Sequence, residues 1–230
     1  LEVDAGFRDL GVRQVAMGGG KFEKRTDREL GAIDRLGRVA VLALPFGQKT
    51  HVAAASGVSA GVYGIAAHPV DGGELMRLRS AVKRTLLRGS VEASVDACFC
   101  CLGLPWRVDP GAHSVVAPWV AVRAALAGGR VGGDALDRMW QGAAGRTNGP
   151  VAAAAASLGM AGVQGDWRRW VGLDGEELDM PVCRPTAQWR DFLLRQYHLK
   201  MCRRIQHVRS QYAGLERGVD HWAMRYVECQ

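Results

Sequence analysis

The sequence predicts a mainly α-helical fold, in which a helical bundle is combined with a small β-hairpin and a long, basic C-terminal helix. Two observations lead to this prediction. Apolar residues recur at intervals of three and four along several segments, which is the period of an amphipathic helix. An Asp-Gly pair, Asp174-Gly175, separates two short apolar runs, which indicates a hairpin. With 230 residues, the chain is long enough to bury a sizeable core.

The N-terminal half is expected to contain one strand and three helices. The strand is the stretch FRDLGV. The first helix is expected to begin at Thr26, which forms a capping-box pattern with Glu29, and to run towards Pro45. The second, from Gln48 to about Ile65, is expected to be a packed helix of small residues. The third, from Gly73 to Arg88, carries an apolar stripe formed by Leu75, Leu78, Val82 and Leu86.

The C-terminal half is expected to be helical on both sides of the hairpin. One helix starts near Ser114 and is closed by glycines, and Asp134 is expected to cap the next. Pro150 opens an Ala-rich helix, because proline is tolerated in the first helical turn. The hairpin is placed near residues 167–180. The longest helix is expected from Thr186 to Tyr212, with an apolar stripe of Trp189, Leu193, Tyr197, Met201, Ile205, Val208 and Tyr212.

These elements suggest two regions. Residues 1–112 are expected to form a strand and a helical bundle, and residues 113–230 a helical region with the hairpin. Trp119, Trp140 and Trp189 lie in apolar patterns and are expected in the core rather than on a surface that stacks on bases.

The charge distribution favours an anionic partner. The formal net charge is +7, and basic side chains fill the helix from Gly73 and the long C-terminal helix. Arg and Lys on a helix face suit contacts with phosphate, although such a face is equally often simply solvated. No apolar run reaches the ~20 residues that span a bilayer, and no signal peptide is recognisable. We therefore expect an intracellular protein, nuclear or cytoplasmic, that does not bind membranes.

The cysteine pattern does not predict a metal site. The chain has six cysteines, three of them in the stretch CFCC (Cys98, Cys100 and Cys101). Zinc sites usually combine two pairs of ligands, and no second pair follows this stretch, so buried thiols are the preferred interpretation. The six histidines are scattered along the sequence. A small hydrolase therefore remains an alternative only if folding brings a Cys–His or Ser–His pair together.

Several stretches, in their order along the chain, resemble one family. They are FRDLGV, the Lys49-Thr50 pair, Val62-Tyr63-Gly64 and ELMRLRSAVKRTLLRG. Together they resemble the region downstream of the polymerase centre in non-LTR (LINE-type) retrotransposon reverse transcriptases. Three further stretches resemble segments that recur in protist copies of these elements: GRTNGPVAAAAASLGMAG, WRRWVGLDGEELDM and YAGLERGVDHWA.

The resemblance implies that the N-terminal region is a thumb-like bundle, which in the family grips the template–primer duplex beside the palm. The family's catalytic [FY]-x-D-D motif would precede Leu1 and is not in this sequence, so the resemblance implies no catalytic residue, metal or cofactor here. The parent polymerase would need Mg²⁺ and a palm/fingers domain. The residues expected to bind RNA–DNA hybrid or RNA are Lys49, Arg77, Arg79, Lys83, Arg84, Arg88, Arg195, Lys200, Arg203 and Arg204.

Three alternatives remain beside this hypothesis. The chain is a structural or interaction module whose apolar stripes pack against another domain, a decayed retroelement fragment that binds nothing, or the small hydrolase.

Overall fold

The computed structural model of the chain describes residues 6–9, 12–15, 23–87, 94–101, 104–142, 149–179 and 181–208. The fold is mainly helical with a small antiparallel sheet, as the sequence predicts. The helices are α1 (Glu23–Ala40), α2 (Phe46–Val52), α3 (Ser59–Gly61), α4 (Gly72–Leu87), α5 (Val95–Cys101), α6 (Pro110–Ala127), α7 (Gly133–Gln141), α8 (Pro150–Ala161) and α9 (Thr186–Val208). The strands are β1 (Gly6–Asp9), β2 (Val12–Val15), β3 (Gln164–Gly165), β4 (Arg169–Val171) and β5 (Glu177–Asp179).

The N-terminal segment differs from the expectation in two ways. The stretch expected as one strand spans parts of two, because β1 ends at Asp9 and β2 begins at Val12; the two strands pair antiparallel, with Phe7 opposite Gln14. Helix α1 begins at Glu23, so Thr26 lies within the helix and the expected capping box is wrong. Glu29 instead accepts two hydrogen bonds from the Arg77 guanidinium, at 2.7 and 2.9 Å.

The helix of small residues is confirmed, although it ends before Ile65. Helix α2, a π-helical turn at Ala53–Val58 and α3 follow one another without a break. A Cβ atom added to Gly57 would lie 2.5 Å from Leu36 Cγ, and one added to Gly61 would lie 2.6 Å from Leu78 Cδ2. The glycines therefore let this element pack closely against α1 and α4.

The described residues form two core clusters that meet at α5. The N-terminal cluster is built by α1, α4 and the small-residue helix, and the C-terminal cluster by α6, α8, α9 and the three-stranded sheet. Helix α5 contributes Cys98 and Phe99 to the first cluster and Ala97 and Cys100 to the second. A boundary between residues 112 and 113 falls inside α6.

Tryptophans form the centre of the C-terminal core. Trp119, Trp170 and Trp189 are fully buried. The Trp119 ring lies edge-on to Trp170, with ring centroids 4.7 Å apart, and its Nε1 donates to Ser157 Oγ at 2.9 Å. Trp119 and Trp189 thus lie in the core as predicted, and Trp140 is partly buried against it.

The C-terminal half follows the sequence closely. Pro150 opens α8, and Gly162, with φ 76°, ends it in the left-handed conformation. Strands β4 and β5 pair as the expected hairpin, and Gly175, with φ 80°, lies in its turn. An added strand, β3, extends the sheet. Two bounds differ: α6 begins at Pro110 rather than near Ser114, and Gly132 rather than Asp134 is the N-cap of α7. The expected end of α9 at residues 209–212 lies outside the described residues.

Candidate nucleic-acid interface

Helix α4 divides its predicted basic residues between core and solvent. Of its expected apolar stripe, Leu78, Val82 and Leu86 are buried and Leu75 is half-buried. Arg84 is exposed and Lys83 is half-buried. Arg77 is exposed by 57% of its side chain but is held by the buried Glu29, and Arg88 lies outside the described residues. Of this helix, Arg84 is therefore the predicted residue best placed to meet a phosphate.

Arg79 is a core residue. Its side chain is 3% exposed and forms ion pairs with Asp96 on α5 and with Asp109, the N-cap residue of α6. Burial by itself lowers the pKa of Arg79, but the charges around it, that of Asp109 above all, raise the pKa beyond its ordinary value. Arg79 joins α4, α5 and α6 and is not placed to contact phosphate.

Lys49 is also turned inward. The Lys49-Thr50 pair lies within α2, and both residues are buried. Lys49 Nζ donates to the Ala40 carbonyl at 2.9 Å, and Thr50 Oγ1 donates to the Phe46 carbonyl at 2.8 Å. The Lys49 ammonium group thus donates to the last carbonyl of α1 rather than pointing to a ligand-binding surface.

The side chain of Arg195, on α9, pairs with carboxylates of the β4–β5 hairpin. It forms an ion pair with Glu176 and lies 3.9 Å from an Asp174 carboxylate oxygen. Two carboxylates thus stand next to this guanidinium, and they would repel a phosphate brought to it.

The end of α9 carries three exposed basic residues on one helix face. Lys200, Arg203 and Arg204 are exposed and stand at i, i+3 and i+4, so they share one face of the helix. We name these three residues the α9 basic face. His207, one turn further on, is exposed beside it. Helix α9 has no acidic residue after Asp191.

The α9 basic face is partly anchored by its neighbours. Lys200 donates to the Gly159 carbonyl on α8, Arg203 Nη2 lies 3.4 Å from the Leu173 carbonyl, and Arg204 Nη2 lies 2.6 Å from an Asp96 carboxylate oxygen. Burial, followed by the positive charge of Arg204, lowers the pKa of Lys200. The positive charges of Lys200 and Arg204 therefore repel each other, and an anion bound beside them would reduce this repulsion.

A second constellation joins α5 and α9. Cys100, His198 and Cys202 are buried, and one potential ligand atom from each lies within 4.8 Å of the others. The hydrogen bond with Cys202, together with burial, raises the pKa of the Cys100 thiol. Such a thiol is a poor nucleophile at neutral pH, so this Cys–His arrangement does not favour the hydrolase interpretation.

The serines of the small-residue helix offer no nucleophile either. Ser56 Oγ donates to the Val52 carbonyl at 2.7 Å, and Ser59 Oγ donates to the Ala55 carbonyl. Both hydroxyls are used by the preceding helical turn, and neither is hydrogen-bonded to a histidine.

The sequence pattern did not predict the Cys–His constellation, because Cys100 lies on α5 and its two partners lie on α9, and only the packing of these helices brings them together. The available signal was the spacing of four between His198 and Cys202, which places both on one face of a helix.

Comparison with family models, curated proteins and solved structures found no match to this chain. Among the described helices, none is long and apolar enough to cross a membrane.

Proposed function

We propose that the chain binds the phosphate backbone of nucleic acid, an RNA–DNA hybrid or an RNA duplex, through the α9 basic face. The single observation that supports this proposal is the exposure of Lys200, Arg203 and Arg204 on one side of a helix without a nearby acidic residue in that helix. Backbone phosphates are spaced regularly along a duplex, so cations on successive helical turns suit them without reading sequence.

The buried and paired arginines narrow the predicted site. Arg79 and Lys49 stabilise the fold, and Arg195 stands beside two carboxylates. Arg77 and Arg204 each pair with one buried carboxylate while their own side chains stay 57% and 61% exposed. Arg204 is kept in the interface because Lys200 and Arg203 lie beside it on the same helix face.

The resemblance to LINE-type reverse transcriptases gives this binding a context. In that context the chain would hold the duplex beside a palm/fingers domain of the same protein, and Mg²⁺ would serve the polymerase centre in that domain. No residue described here is assigned a catalytic role.

The test is a titration of a labelled RNA–DNA hybrid, followed by fluorescence anisotropy across a salt series. Each neutralised phosphate contributes about −0.9 to the slope of log K against log salt, so three cations predict a slope of about −3. The variant K200Q/R203Q/R204Q is expected to bring the slope close to zero.

The matched control is R35Q/R130Q/R138Q, which removes the same charge from exposed positions on separate elements. It should keep most of the slope. Equal effects of the two triple variants would show that only net charge matters, and a folded chain that does not bind at low salt would overturn the proposal.

A second candidate, an interaction module, is favoured by exposed apolar side chains after α1. Val41 is 83% exposed, and Leu42 and Phe46 are 43% and 47% exposed. These residues would pack against another domain of the same protein. The same titration separates the two candidates, because an interaction module gives no salt-dependent binding of the hybrid.

A further inference from the structure

A buried cluster of potential metal ligands lies where α5 packs against α9. Cys100 comes from α5, and His198 and Cys202 come from α9 at i and i+4. Their exposed fractions are 1%, 8% and 0%. One sulfur or ring-nitrogen atom from each lies within 4.8 Å of the other two.

The chemistry of these three side chains suits Zn²⁺. Thiolate sulfur and imidazole nitrogen bind zinc at about 2.3 and 2.0–2.1 Å, so neighbouring ligands of a tetrahedral ion lie about 3.5–3.8 Å apart. Ligand atoms that already lie within 4.8 Å need shifts of only about 1 Å to reach that geometry. Two thiolates also balance the charge of a divalent ion, so the loaded site is neutral and tolerates burial.

We propose that Cys100, His198 and Cys202 form a zinc site that joins α5 to α9. On binding, each of the two thiols gives up its proton to solvent, and the two sulfurs and one ring nitrogen of neutral His198 donate electron pairs to the ion. Nothing is oxidised or reduced. A water molecule completes the tetrahedral shell, because three protein ligands leave one position open.

The position of the site explains what the metal would do. Helix α5 sends Phe99 into the N-terminal core and Cys100 into the C-terminal core. Metal–ligand bonds between α5 and α9 would therefore link the two core clusters at α5, the helix that contributes residues to both. This proposal does not rest on nucleic-acid binding, since His198 and Cys202 lie on the side of α9 opposite the α9 basic face.

The test uses the full 230-residue chain, reduced, freed of metal by a chelator and titrated with Co²⁺ without oxygen. Co²⁺ in a Cys₂His site gives visible bands of a tetrahedral ion and a sulfur-to-cobalt charge-transfer band, which Zn²⁺ then abolishes. We expect saturation at one equivalent. Calorimetry of Zn²⁺ binding in buffers of different ionisation enthalpy should show about two protons released, one from each thiol.

The control variant is C101S/C183S/C229S, which keeps the proposed ligands and should bind Co²⁺ like the unmodified chain. In that background, C100S and C202S are each expected to weaken binding at least tenfold, since even outer-shell changes weaken metal sites by about 10–100-fold. C98S removes a neighbouring buried thiol and should leave the charge-transfer band unchanged.

Two outcomes would overturn the proposal. One is a reduced, folded chain that shows no sulfur-to-cobalt band, as expected of ordinary core thiols. The other is a band that survives C100S or C202S. If a serine variant fails to fold, the spectrum and proton release of the triple control variant still decide the matter.

Discussion

Replacing Arg79 by methionine tests whether the core is organised around a buried ion-pair network. Methionine keeps the length and apolar stem of the side chain but removes the guanidinium. Asp96 and Asp109, with side chains 8% and 4% exposed, would lose their shared cation. Breaking a buried ion pair by removing one partner costs about 3–5 kcal/mol.

The structure places the expected loss at the lower end of that range. Asp96 would keep its contact with Arg204 at 2.6 Å, and Asp109 would still accept from the Gly111 amide at 2.9 Å. We therefore expect a loss of about 3 kcal/mol in the free energy of unfolding. For a chain of this size that corresponds to about 6–12 °C in Tm.

Urea denaturation followed by far-ultraviolet circular dichroism measures this loss. The matched control is R84M, on the same helix but exposed, which should stay within about 0.5 kcal/mol of the unmodified chain. Adding D96N and D109N to R79M should recover part of the loss, because no buried charge is then left without a partner; Arg204, which loses Asp96, is 61% exposed. A change below about 1 kcal/mol for R79M would refute the network.

Three further predictions follow from other contacts. Gly57→Ala should destabilise the chain by about 1–3 kcal/mol in chemical denaturation, because the added Cβ would lie 2.5 Å from Leu36 Cγ. The control is Gly31→Ala, where no atom lies within 4 Å of the added Cβ, so this change should be neutral or stabilising. Hydrogen bonds from Arg168 and Trp167 lower the pKa of Asp137. The stabilisation that Asp137 contributes is therefore present above the unfolded carboxyl pKa of about 3.9 and is lost as pH falls through the lower pKa of the folded state. Below about pH 4 the Tm of D137N should fall less steeply with pH than that of the unmodified chain, and an unchanged profile would contradict this. Zn²⁺ at about 100 times its Kd should raise the free energy of unfolding by about 2.7 kcal/mol, and calorimetric scans in which Zn²⁺ leaves the Tm unchanged would count against the metal site.

Local periodicity explains which parts of the fold the sequence predicts well. The stripe through Trp189, Leu193 and Tyr197 identifies α9 because its apolar spacing is a property of neighbouring residues. Pro150 and the Asp174-Gly175 pair mark a helix start and a turn for equally local reasons.

The phosphate-binding residues were harder to predict than the helices, because the carboxylates that pair with these arginines lie far from them in the sequence. Nothing in the spacing of α4 indicates that Arg77 meets Glu29 or that Arg79 meets Asp109, since these pairs depend on how helices pack. An amphipathic helix with many arginines therefore predicts a basic face, but only tertiary contacts show which arginines are neutralised. Much of the error at Lys49 and Arg79 has this origin.

The two proposals meet on α9, and their coupling makes a last prediction. A zinc ion bound by His198 and Cys202 would hold α9 against α5 and thereby fix the orientation of the α9 basic face. Zn²⁺ should then increase affinity for the RNA–DNA hybrid, while the slope against log salt stays near −3, because the number of phosphate contacts is set by the same three cations. Linkage requires that the hybrid increase zinc affinity by the same factor, so two titrations, each with and without the other ligand, must agree. Unequal factors would show that a second process intervenes, and a changed salt slope would show that zinc alters the interface itself rather than its orientation.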